Sequence, residues 1–468
     1  MSRFNHKLNV LLLNPPGSKL YIRDNYCSFS AKADYYWPPI DFLVLSGILK
    51  QAFNVFILDC IIDNISEDKC LQSMADLKIQ VVIFLTGTAS WVEDIRFMQR
   101  VYKNFHLHKI IAIGGHLLKE YRRVLAEYDF LDAVLTNYAI NNIVDYLQNE
   151  SIDKLENIQT RLNCNNHIKP SLEFSYPVPL YEKFNLEKYK NPFAKNKTCV
   201  SVLTTYGCPF KCSFCIGSSL GYAKRNSNNL LFELKHIKKT GIREIWFNDC
   251  TFNINEKHVK DVCRLLIDWE FSFSWFCQCH AGNISADMVK LMKQAGCHTV
   301  QLGIESASDR ILTRYNKKIT VANVRSSVEL FKKYGIKILG YFMLGLPDES
   351  ESEIKQMIKL AKELDCDYAS FSIATPDFGT ELREECIREG WIETDAHNFD
   401  SSQDTVINYG IVQPQKIIAL RNLAVKQFYL RPAYIFKKLI TVTNLREIKI
   451  LLFNGLKLII NSFFCKKT

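Results

Sequence analysis

Short runs of apolar residues alternate with amphipathic segments over the first 150 residues. The apolar runs cover residues 10–13, 55–58, 81–85 and 110–113, and apolar residues recur at helical spacing in 43–51, 67–77 and 92–105. Wholly apolar strands that alternate with helices are typical of a parallel sheet covered on both faces. The pattern therefore predicts a Rossmann-like, doubly wound α/β domain over residues 1–150.

Small and polar residues follow three of these predicted strands. Asn14 and Pro15 follow the first strand, Thr86 follows the third, and Gly114 and Gly115 follow the fourth. The carboxyl ends of parallel strands lie along one edge of a sheet, where open α/β sheets bind their ligands. Glycine lets the backbone approach a ligand closely, and a threonine hydroxyl can hydrogen-bond to it. We therefore expect a ligand site at this edge.

The alternation stops over residues 151–195 and resumes over residues 196–395. The intervening stretch is rich in Asn and Lys and contains Pro177 and Pro179, which indicates a linker. The later region has six predicted strands, at 200–203, 244–247, 273–277, 299–303, 338–344 and 368–373, separated by helices such as 286–295 and 321–334. Six strand–helix units predict a partial TIM-type (β/α)6 barrel, whose chemistry belongs at the carboxyl ends of its strands.

Residues 396–468 are predicted to form a helical C-terminal extension. In the segment 448–464, apolar residues fall on one helical face and Asn454, Lys457 and Asn461 on the other. Two interpretations stay open, a terminal helix packed on the body of the protein and an interfacial helix in peripheral contact with a membrane. No uninterrupted apolar run reaches the roughly 18 residues that a transmembrane helix needs.

The bulk composition narrows the class of protein only slightly. The chain has 468 residues, of which 47% are hydrophobic and 23% charged, as in a folded protein of several domains. The net charge of +10 suits an anionic cofactor, a nucleic acid or a membrane surface and selects none of them. Without a concentrated basic run we expect no nucleic acid partner. The 16 cysteines are scattered and no signal peptide precedes them, so we expect free thiols and a cytoplasmic location.

Three of the cysteines, Cys208, Cys212 and Cys215, have the spacing C-x3-C-x2-C directly after the first predicted barrel strand. Soft thiolate ligands suit iron–sulfur clusters and zinc. A cuboidal cluster normally takes four thiolates, so three of them leave one iron open for chemistry. Structural zinc is the alternative, but it needs a fourth ligand, and the nearest downstream candidate, His236, falls in a predicted helix.

The cysteine segment resembles the signature of the radical S-adenosylmethionine (SAM) enzymes. The resemblance implies a [4Fe-4S] cluster whose open iron chelates SAM, a reductant such as flavodoxin or ferredoxin, and cleavage of SAM to a 5′-deoxyadenosyl radical. Segments 303–306, 340–347 and 374–380 resemble the same family, the last with Asp377 and Phe378 as departures. The family's usual Gly-Gly-Glu form is absent at 247–249, and a helix cap is the alternative role for the aspartate there. The resemblance assigns SAM contacts to Phe214, Asp249, Glu305 and Ser306.

The N-terminal region resembles the cobalamin-binding domain that often precedes a radical SAM domain. The resemblance rests on Asn-Pro-Pro at 14–16, on Asp59 and on Gly-Gly at 114–115. The Asp-x-His-x-x-Gly motif that supplies a histidine to cobalt is absent, and His116 is expected to be a loop or hydrogen-bonding histidine rather than a cobalt ligand. Residues 136–139 replace the family's acidic turn. A domain that keeps the fold without the cofactor is the alternative. The cobalamin contacts that the resemblance implies are Asn14, Pro15, Thr86, Gly114 and Gly115.

Together the resemblances imply a cobalamin-dependent radical SAM enzyme that methylates an unactivated carbon of a small-molecule or natural-product substrate. A radical SAM cyclase, oxidoreductase or rearrangement enzyme without methyl transfer is one alternative, and a non-catalytic iron–sulfur or zinc module is another. Cys277 and Cys279 lie two apart in a predicted strand, which suits either buried thiols or a second metal site. Three roles stay open for the loop 24–37: covering cobalamin, contacting substrate, or packing against the neighbouring domain.

Overall fold

The computed structural model describes residues 7–24, 27–31, 35–148, 155, 157–162, 172–393, 400 and 405–441. The amphipathic segment 448–464, for which a terminal or membrane-surface helix is predicted, lies outside these residues. Among the helices that are described, none is both long enough and apolar enough to cross a membrane.

The N-terminal part is a six-stranded sheet in the order β4-β1-β5-β6-β7-β8. Its strands pair in parallel, except for the antiparallel pair β7–β8 at one edge. β5 is buried along its whole length because helices cover both faces of the sheet, which confirms the Rossmann-like prediction. The elements are β1 (Asn9–Asn14), β2 (Tyr21–Arg23), β3 (Ser28–Ser30), α1 (Ile40–Lys50), β4 (Asn54–Asp59), α2 (Glu67–Asp76), β5 (Val81–Leu85), α3 (Trp91–Asn104), β6 (Lys109–Ile113), α4 (Leu117–Glu127), β7 (Ala133–Leu135), α5 (Asn142–Leu147) and β8 (Ile158–Gln159).

The second sheet has six parallel strands in the order β10-β13-β14-β15-β16-β17, which confirms the partial barrel. Its helices start at side-chain caps, such as the Ser350 and Thr320 capping boxes, so the strand–helix boundaries are set locally. The elements are β9 (Glu173–Phe174), β10 (Val200–Val202), β11 (Thr205–Gly207), β12 (Tyr222–Arg225), α6 (Ser227–Lys239), β13 (Glu244–Phe247), α7 (Glu256–Asp268), β14 (Ser274–His280), α8 (Ala286–Gln294), β15 (Cys297–Glu305), α9 (Asp309–Arg314), α10 (Val321–Lys333), β16 (Lys337–Leu344), α11 (Glu351–Leu364), β17 (Tyr368–Ile373) and α12 (Glu381–Arg388).

Helix α1 forms the seam between the two sheets. Every residue of α1 except Lys50 is buried, because the helix lies against β1 and β4 on one side and against β10 on the other. The linker crosses it closely, since a Cβ on Gly47 would lie 2.4 Å from the carbonyl oxygen of Pro177. One continuous apolar core therefore runs from the N-terminal sheet into the barrel.

Two connections differ from the predicted layout. Strand β10 does not lead directly into the cysteine loop, because the short strand β11 intervenes and pairs with β12 in an antiparallel hairpin. Strand β9, which lies within the linker, pairs with β12 and completes a three-stranded sheet. The helices α13 (Pro414–Tyr429) and α14 (Pro432–Thr441) form the predicted C-terminal extension, and the Tyr429 hydroxyl donates to the carbonyl oxygen of Ala369 in β17 (2.7 Å).

Candidate active site at the mouth of the barrel

The three signature cysteines lie in the loop of the β11–β12 hairpin. The Cys208 N–H donates to the carbonyl oxygen of Gly221 (2.9 Å) and closes the base of the loop. Gly207 has a φ of +69°, and a Cβ there would lie only 2.1 Å from the same carbonyl oxygen. Any larger residue would strain the backbone and push the hairpin apart. Glycine at position 207 therefore fixes the place where the cysteine loop begins.

Two of the signature cysteines, Cys208 and Cys215, lie close to Gly217. A Cβ built on Gly217 would lie 3.4 Å from Sγ of Cys215 and 3.7 Å from Cβ of Cys208. Cys212 is buried, and burial raises the pKa of its thiol while the neighbouring Lys317 ammonium lowers it. The three cysteines therefore share one hairpin loop, and their role as cluster ligands stays a prediction.

Asp249, predicted to contact SAM, is buried just beyond the end of β13. Its carboxylate accepts the backbone N–H groups of Thr204 (2.7 Å) and Thr205 (3.0 Å) and also the Thr204 hydroxyl. Burial raises the pKa of Asp249 to about 6, and these hydrogen bonds oppose the shift. The alternative role as a cap of α7 is wrong, because Asn255 caps that helix. Asp249 instead ties the end of β13 to the segment that leads into the cysteine loop.

Glu305 ends β15 in an unusual backbone conformation. Its φ is +63°, and the register with β16 shifts between Gly303 and Glu305, as at a β-bulge. Oε1 of Glu305 accepts a hydrogen bond from the ammonium of Lys317 at 2.8 Å, with both side chains nearly buried. A Cβ on Gly303 would lie 2.7 Å from each of these two atoms, so glycine leaves the room that the pair needs. The bulge thus turns Glu305 towards the cysteine loop.

Sequence reasoning missed Lys317, because it lies outside every recognised motif. Burial lowers the pKa of its ammonium, but Glu305 and the thiols of Cys212 and Cys215 more than offset this and leave the pKa raised. The segment around Lys317 is well anchored: its carbonyl oxygen lies 3.0 Å from Nε2 of His280, and the Tyr315 carbonyl accepts the Ser213 N–H (3.1 Å). The Lys317 ammonium is thereby held between the cysteine loop and the end of β15.

Phe214 and Ser306, the other predicted SAM contacts, are both buried at this mouth. The Phe214 ring lies 6.4 Å from the Tyr315 ring, and Oγ of Ser306 accepts the Ser308 N–H (3.3 Å). All four residues predicted for SAM therefore lie at the carboxyl ends of the barrel strands or in the cysteine loop. Their contact with SAM stays a prediction.

Asn14, predicted to contact cobalamin, has a fully buried side chain that is already engaged. Its amide donates to Oδ1 of Asp59 (2.9 Å) and to the Tyr36 hydroxyl (2.5 Å), and its oxygen accepts from Arg23 (2.8 Å). Arg23 also donates to the carbonyl oxygen of Pro15 (3.0 Å). The side chain of Asn14 therefore connects the ends of β1 and β4 to Arg23 and Tyr36 through hydrogen bonds inside the protein.

The remaining cobalamin candidates, Thr86, Gly114 and Gly115, meet at the carboxyl ends of β5 and β6. A Cβ on Gly114 would lie 2.3 Å from the carbonyl oxygen of Thr86, so the two loops touch through backbone. The His116 ring packs edge-on against Trp91 (4.9 Å), as expected for a loop histidine. Glycine at position 114 is thus required by the contact between the two loops, and contact of these residues with cobalamin stays a prediction.

Two described residues of the loop 24–37, Asp24 and Trp37, connect the N-terminal sheet region to the barrel. The Trp37 ring lies edge-on to Trp246 of β13 at 5.3 Å, and its indole N–H donates to Asp24 (3.3 Å). Burial raises the pKa of the Cys27 thiol, and the carboxylates of Asp24, Asp41 and Asp377 raise it further. Of the three roles left open, these contacts support packing, and they bring Cys27 near the turn that follows β17.

Cys277 and Cys279, for which a second metal site is the alternative to buried thiols, lie on the same face of β14, as their spacing predicted. Sγ of Cys277 lies 3.6 Å from Sγ of Cys279, and both side chains are buried in β14. Over the described ranges, no three His, Cys, Asp or Glu side chains are drawn together around one point as for a single metal ion. This pair consists of buried thiols in the barrel wall.

The donor set at Cys208, Cys212 and Cys215 fits an iron–sulfur cluster. A cube presents a different iron to each thiolate, so its ligands surround a volume rather than a single point. Cys208 and Cys215 approach the Gly217 turn, and Cys212 lies between them in the same loop. The adjacent Lys317 ammonium offsets the negative charge that three thiolates and a cluster bring into a partly buried site.

Comparison with known proteins agrees with this geometry. A family model described as the radical SAM superfamily matches residues 202–361, which include the cysteine loop and the strands from β11 to β16. An uncharacterised methyltransferase from Pyrococcus horikoshii is 31% identical over 421 residues, or 86% of this chain and 89% of that protein. The anaerobic magnesium-protoporphyrin IX monomethyl ester cyclase of Rubrivivax gelatinosus is 25% identical over 380 residues, or 76% of this chain and 68% of its own.

The fold is similar to the solved structure of TsrM from Kitasatospora setae, a radical SAM methyltransferase, with a TM-score of 0.67 and 15% identity. The likeness covers 92% of this chain and 90% of TsrM, so it includes both sheets. The family itself is shown by the Pyrococcus relative, which is similar over most of both chains, and by the family match across the cysteine loop. The chain belongs to the radical SAM superfamily.

Proposed function

We propose that the protein is a cobalamin-dependent radical SAM methyltransferase that acts on an unactivated carbon of a small-molecule substrate. The observation that carries the proposal is that the carboxyl edge of the N-terminal sheet faces the mouth of the barrel. There the His116 ring lies 6.3 Å from the Phe378 ring, and a Cβ on Gly379 would lie 2.3 Å from Cγ of Lys119. Cofactors bound at the two edges would flank one shared space.

The cofactors supply the difficult chemistry, since the cluster and SAM provide a radical and cobalamin provides a transferable methyl group. The chain's own residues bind and orient them. Cys208, Cys212 and Cys215 would hold the cluster. The residues that would contact SAM are Phe214, Asp249, Glu305 and Ser306, and those that would line the cobalamin edge are Asn14, Pro15, Thr86, Gly114 and Gly115.

Several contacts would keep this arrangement in place during turnover. Asp249 fastens the segment before the cysteine loop to the end of β13, and Lys317 offsets negative charge near Cys212. The packing of Trp37 on Trp246 joins the segment that precedes α1 to β13, and so contributes to holding the two sheets together.

The relatives support methyl transfer as the reaction class. The Pyrococcus relative is named a methyltransferase, and TsrM is a methyltransferase whose solved structures hold tryptophan in one case and cobalamin with a [4Fe-4S] cluster in another. We expect a flavodoxin or ferredoxin as the electron donor and the cytoplasm as the location. Contact with a membrane surface rests on the segment 448–464 alone.

The test is anaerobic reconstitution with iron, sulfide, cobalamin and a low-potential reductant, followed by incubation with SAM labelled in its methyl group. We expect 5′-deoxyadenosine from the wild type and none from Cys212→Ala. Cys199→Ala is the matched control, because Cys199 lies at the opposite, amino end of β10. A fully assembled cluster that never yields 5′-deoxyadenosine, or unchanged turnover in Cys212→Ala, contradicts the proposal.

A second candidate, radical chemistry without methyl transfer, is favoured by the similarity to the Rubrivivax cyclase. The label separates the two candidates: labelled product supports methylation, and 5′-deoxyadenosine with unlabelled product supports cyclisation, oxidation or rearrangement. Metal analysis that finds zinc and no iron would support a non-catalytic module instead.

A further inference from the structure

Cys250 is a fourth cysteine beside the signature loop. It follows Asp249 beyond the end of β13 and is half-buried. The Cβ position of Gly217, which lies 3.4 Å from Sγ of Cys215 and 3.7 Å from Cβ of Cys208, lies 3.8 Å from Sγ of Cys250. The thiol of Cys250 therefore borders the same space as two of the predicted cluster ligands, Cys208 and Cys215.

The chain is anchored on both sides of Cys250. On one side, the Asp249 carboxylate is hydrogen-bonded to Thr204 and Thr205. On the other side, the N–H of the fully buried Phe252 donates to the carbonyl oxygen of Gln278 in β14 (2.8 Å). The adjacent Thr251 hydroxyl lies 3.7 Å from Sγ of Cys208. Cys250 is thus presented to the loop by an anchored segment.

A four-iron cube bound by the signature loop has one iron without a protein ligand. Four irons take four ligands, and the signature loop supplies three thiolates. A further thiol at the edge of the same space is the softest donor available to the remaining iron until SAM arrives. The C-x3-C-x2-C spacing cannot reveal such a ligand, because Cys250 belongs to a different strand end.

We propose that Cys250 is a reversible fourth ligand, which binds the open iron in the SAM-free enzyme and gives way to the amino and carboxylate groups of SAM. On ligation the Cys250 thiol gives its proton to water and an S–Fe bond forms. When SAM binds, that bond breaks and the thiolate regains a proton, with no electron transferred in either direction. The inference rests on the proposed cluster, and it adds protection of the open iron between turnovers.

The test measures iron loss rather than activity. Wild type, Cys250→Ser and Cys199→Ser are reconstituted, freed of SAM and oxidised with ferricyanide, and the [3Fe-4S] signal is followed by electron paramagnetic resonance. We expect Cys250→Ser to lose its open iron at least about tenfold faster than the wild type, since even changes around bound ligands weaken metal sites by about that factor. Cys199→Ser should match the wild type, and saturating SAM should remove the difference.

The outcomes separate this inference from the proposed function. If the wild type assembles no four-iron cluster, the proposed function fails first. If the wild type assembles it and Cys250→Ser loses iron at the same rate, the role of Cys250 is overturned. Cys250→Ala serves as a second variant, because alanine has no oxygen that could replace the thiol as a ligand. Iron loss as fast as in Cys250→Ser, with an unchanged near-ultraviolet circular dichroism spectrum, supports the role of Cys250 as a ligand. Iron loss at the wild-type rate overturns it.

Discussion

The ammonium of Lys317 lies 2.8 Å from Oε1 of Glu305, and each side chain is only about one-tenth exposed. The pair joins the end of β15, at a residue with a φ of +63°, to the segment that follows α9. That segment also contacts the cysteine loop through Tyr315 and Ser213. One ion pair therefore links the place predicted for SAM to the place predicted for the cluster.

Removing the cation should leave a buried carboxylate without its partner. We expect Lys317→Met to destabilise the protein by about 3–5 kcal/mol, as when one member of a buried pair is removed. The midpoint of thermal unfolding measures this effect. Lys197→Met is the matched control, because its partner Glu187 and Lys197 itself are both exposed, and an exposed pair contributes little. Equal midpoints for the two variants would contradict the structural role of Lys317.

Gly207 should be essential for assembly of the cluster loop. In Gly207→Ala the new Cβ meets the carbonyl oxygen of Gly221 at 2.1 Å, so the hairpin must open and Cys208 must move. We expect iron incorporation after reconstitution to fall severalfold. Gly241→Ala is the control: Gly241 also has a positive φ, +80°, but nothing lies within 4 Å of its Cβ position. Iron content near that of the wild type in both variants would show that the hairpin tolerates the clash.

Glu349 should make the stability of the protein depend on pH. Burial raises the pKa of this carboxyl to about 8, so the folded protein keeps a proton that the unfolded chain loses near pH 4.5. Between these values the folded state binds more protons, and stability falls by up to about 1.4 kcal/mol per pH unit. The contribution is fully present below the lower pKa and is lost as pH rises through about 8.

The variant Glu349→Gln should remove this dependence. We expect its thermal midpoint to fall less than that of the wild type between about pH 6 and pH 8, because an amide does not titrate in this range. The amide oxygen can still accept the N–H of Gly345, which lies 2.8 Å from Oε2 of Glu349 in the wild type. Glu329→Gln, at an exposed position on α10, should follow the wild type. Parallel curves for the wild type and Glu349→Gln would refute the prediction.

Gly114 should matter for cobalamin rather than for the cluster. A Cβ at this position would meet the Thr86 carbonyl oxygen at 2.3 Å and push apart the two loops predicted to line the cofactor. We expect Gly114→Ala to bind cobalamin at least about tenfold more weakly by equilibrium dialysis, a loss of about 1.4 kcal/mol, with iron content unchanged. Gly390→Ala, where nothing lies within 4 Å, should bind as the wild type does. Unchanged binding in Gly114→Ala would place cobalamin elsewhere.

Much of the fold could be predicted because strands and helices are encoded by neighbouring residues. The runs at 81–85, 244–247 and 368–373 match β5, β13 and β17 to the residue, since β5 and β13 are wholly buried and buried positions alternate along β17. The hairpin β11–β12 was missed because strand pairing depends on a partner further along the chain. Gly207 by itself does not reveal that it must contact Gly221.

The sequence by itself determined the two strand–helix alternations and the cysteine triplet, because each is a pattern within a short stretch of chain. The tertiary structure decided which distant groups share a space: Lys317 with Glu305, Cys250 with the cysteine loop, and Asn14 with Arg23 and Asp59. These pairs depend on which strand ends lie side by side. That arrangement follows from burial of one continuous core rather than from local periodicity.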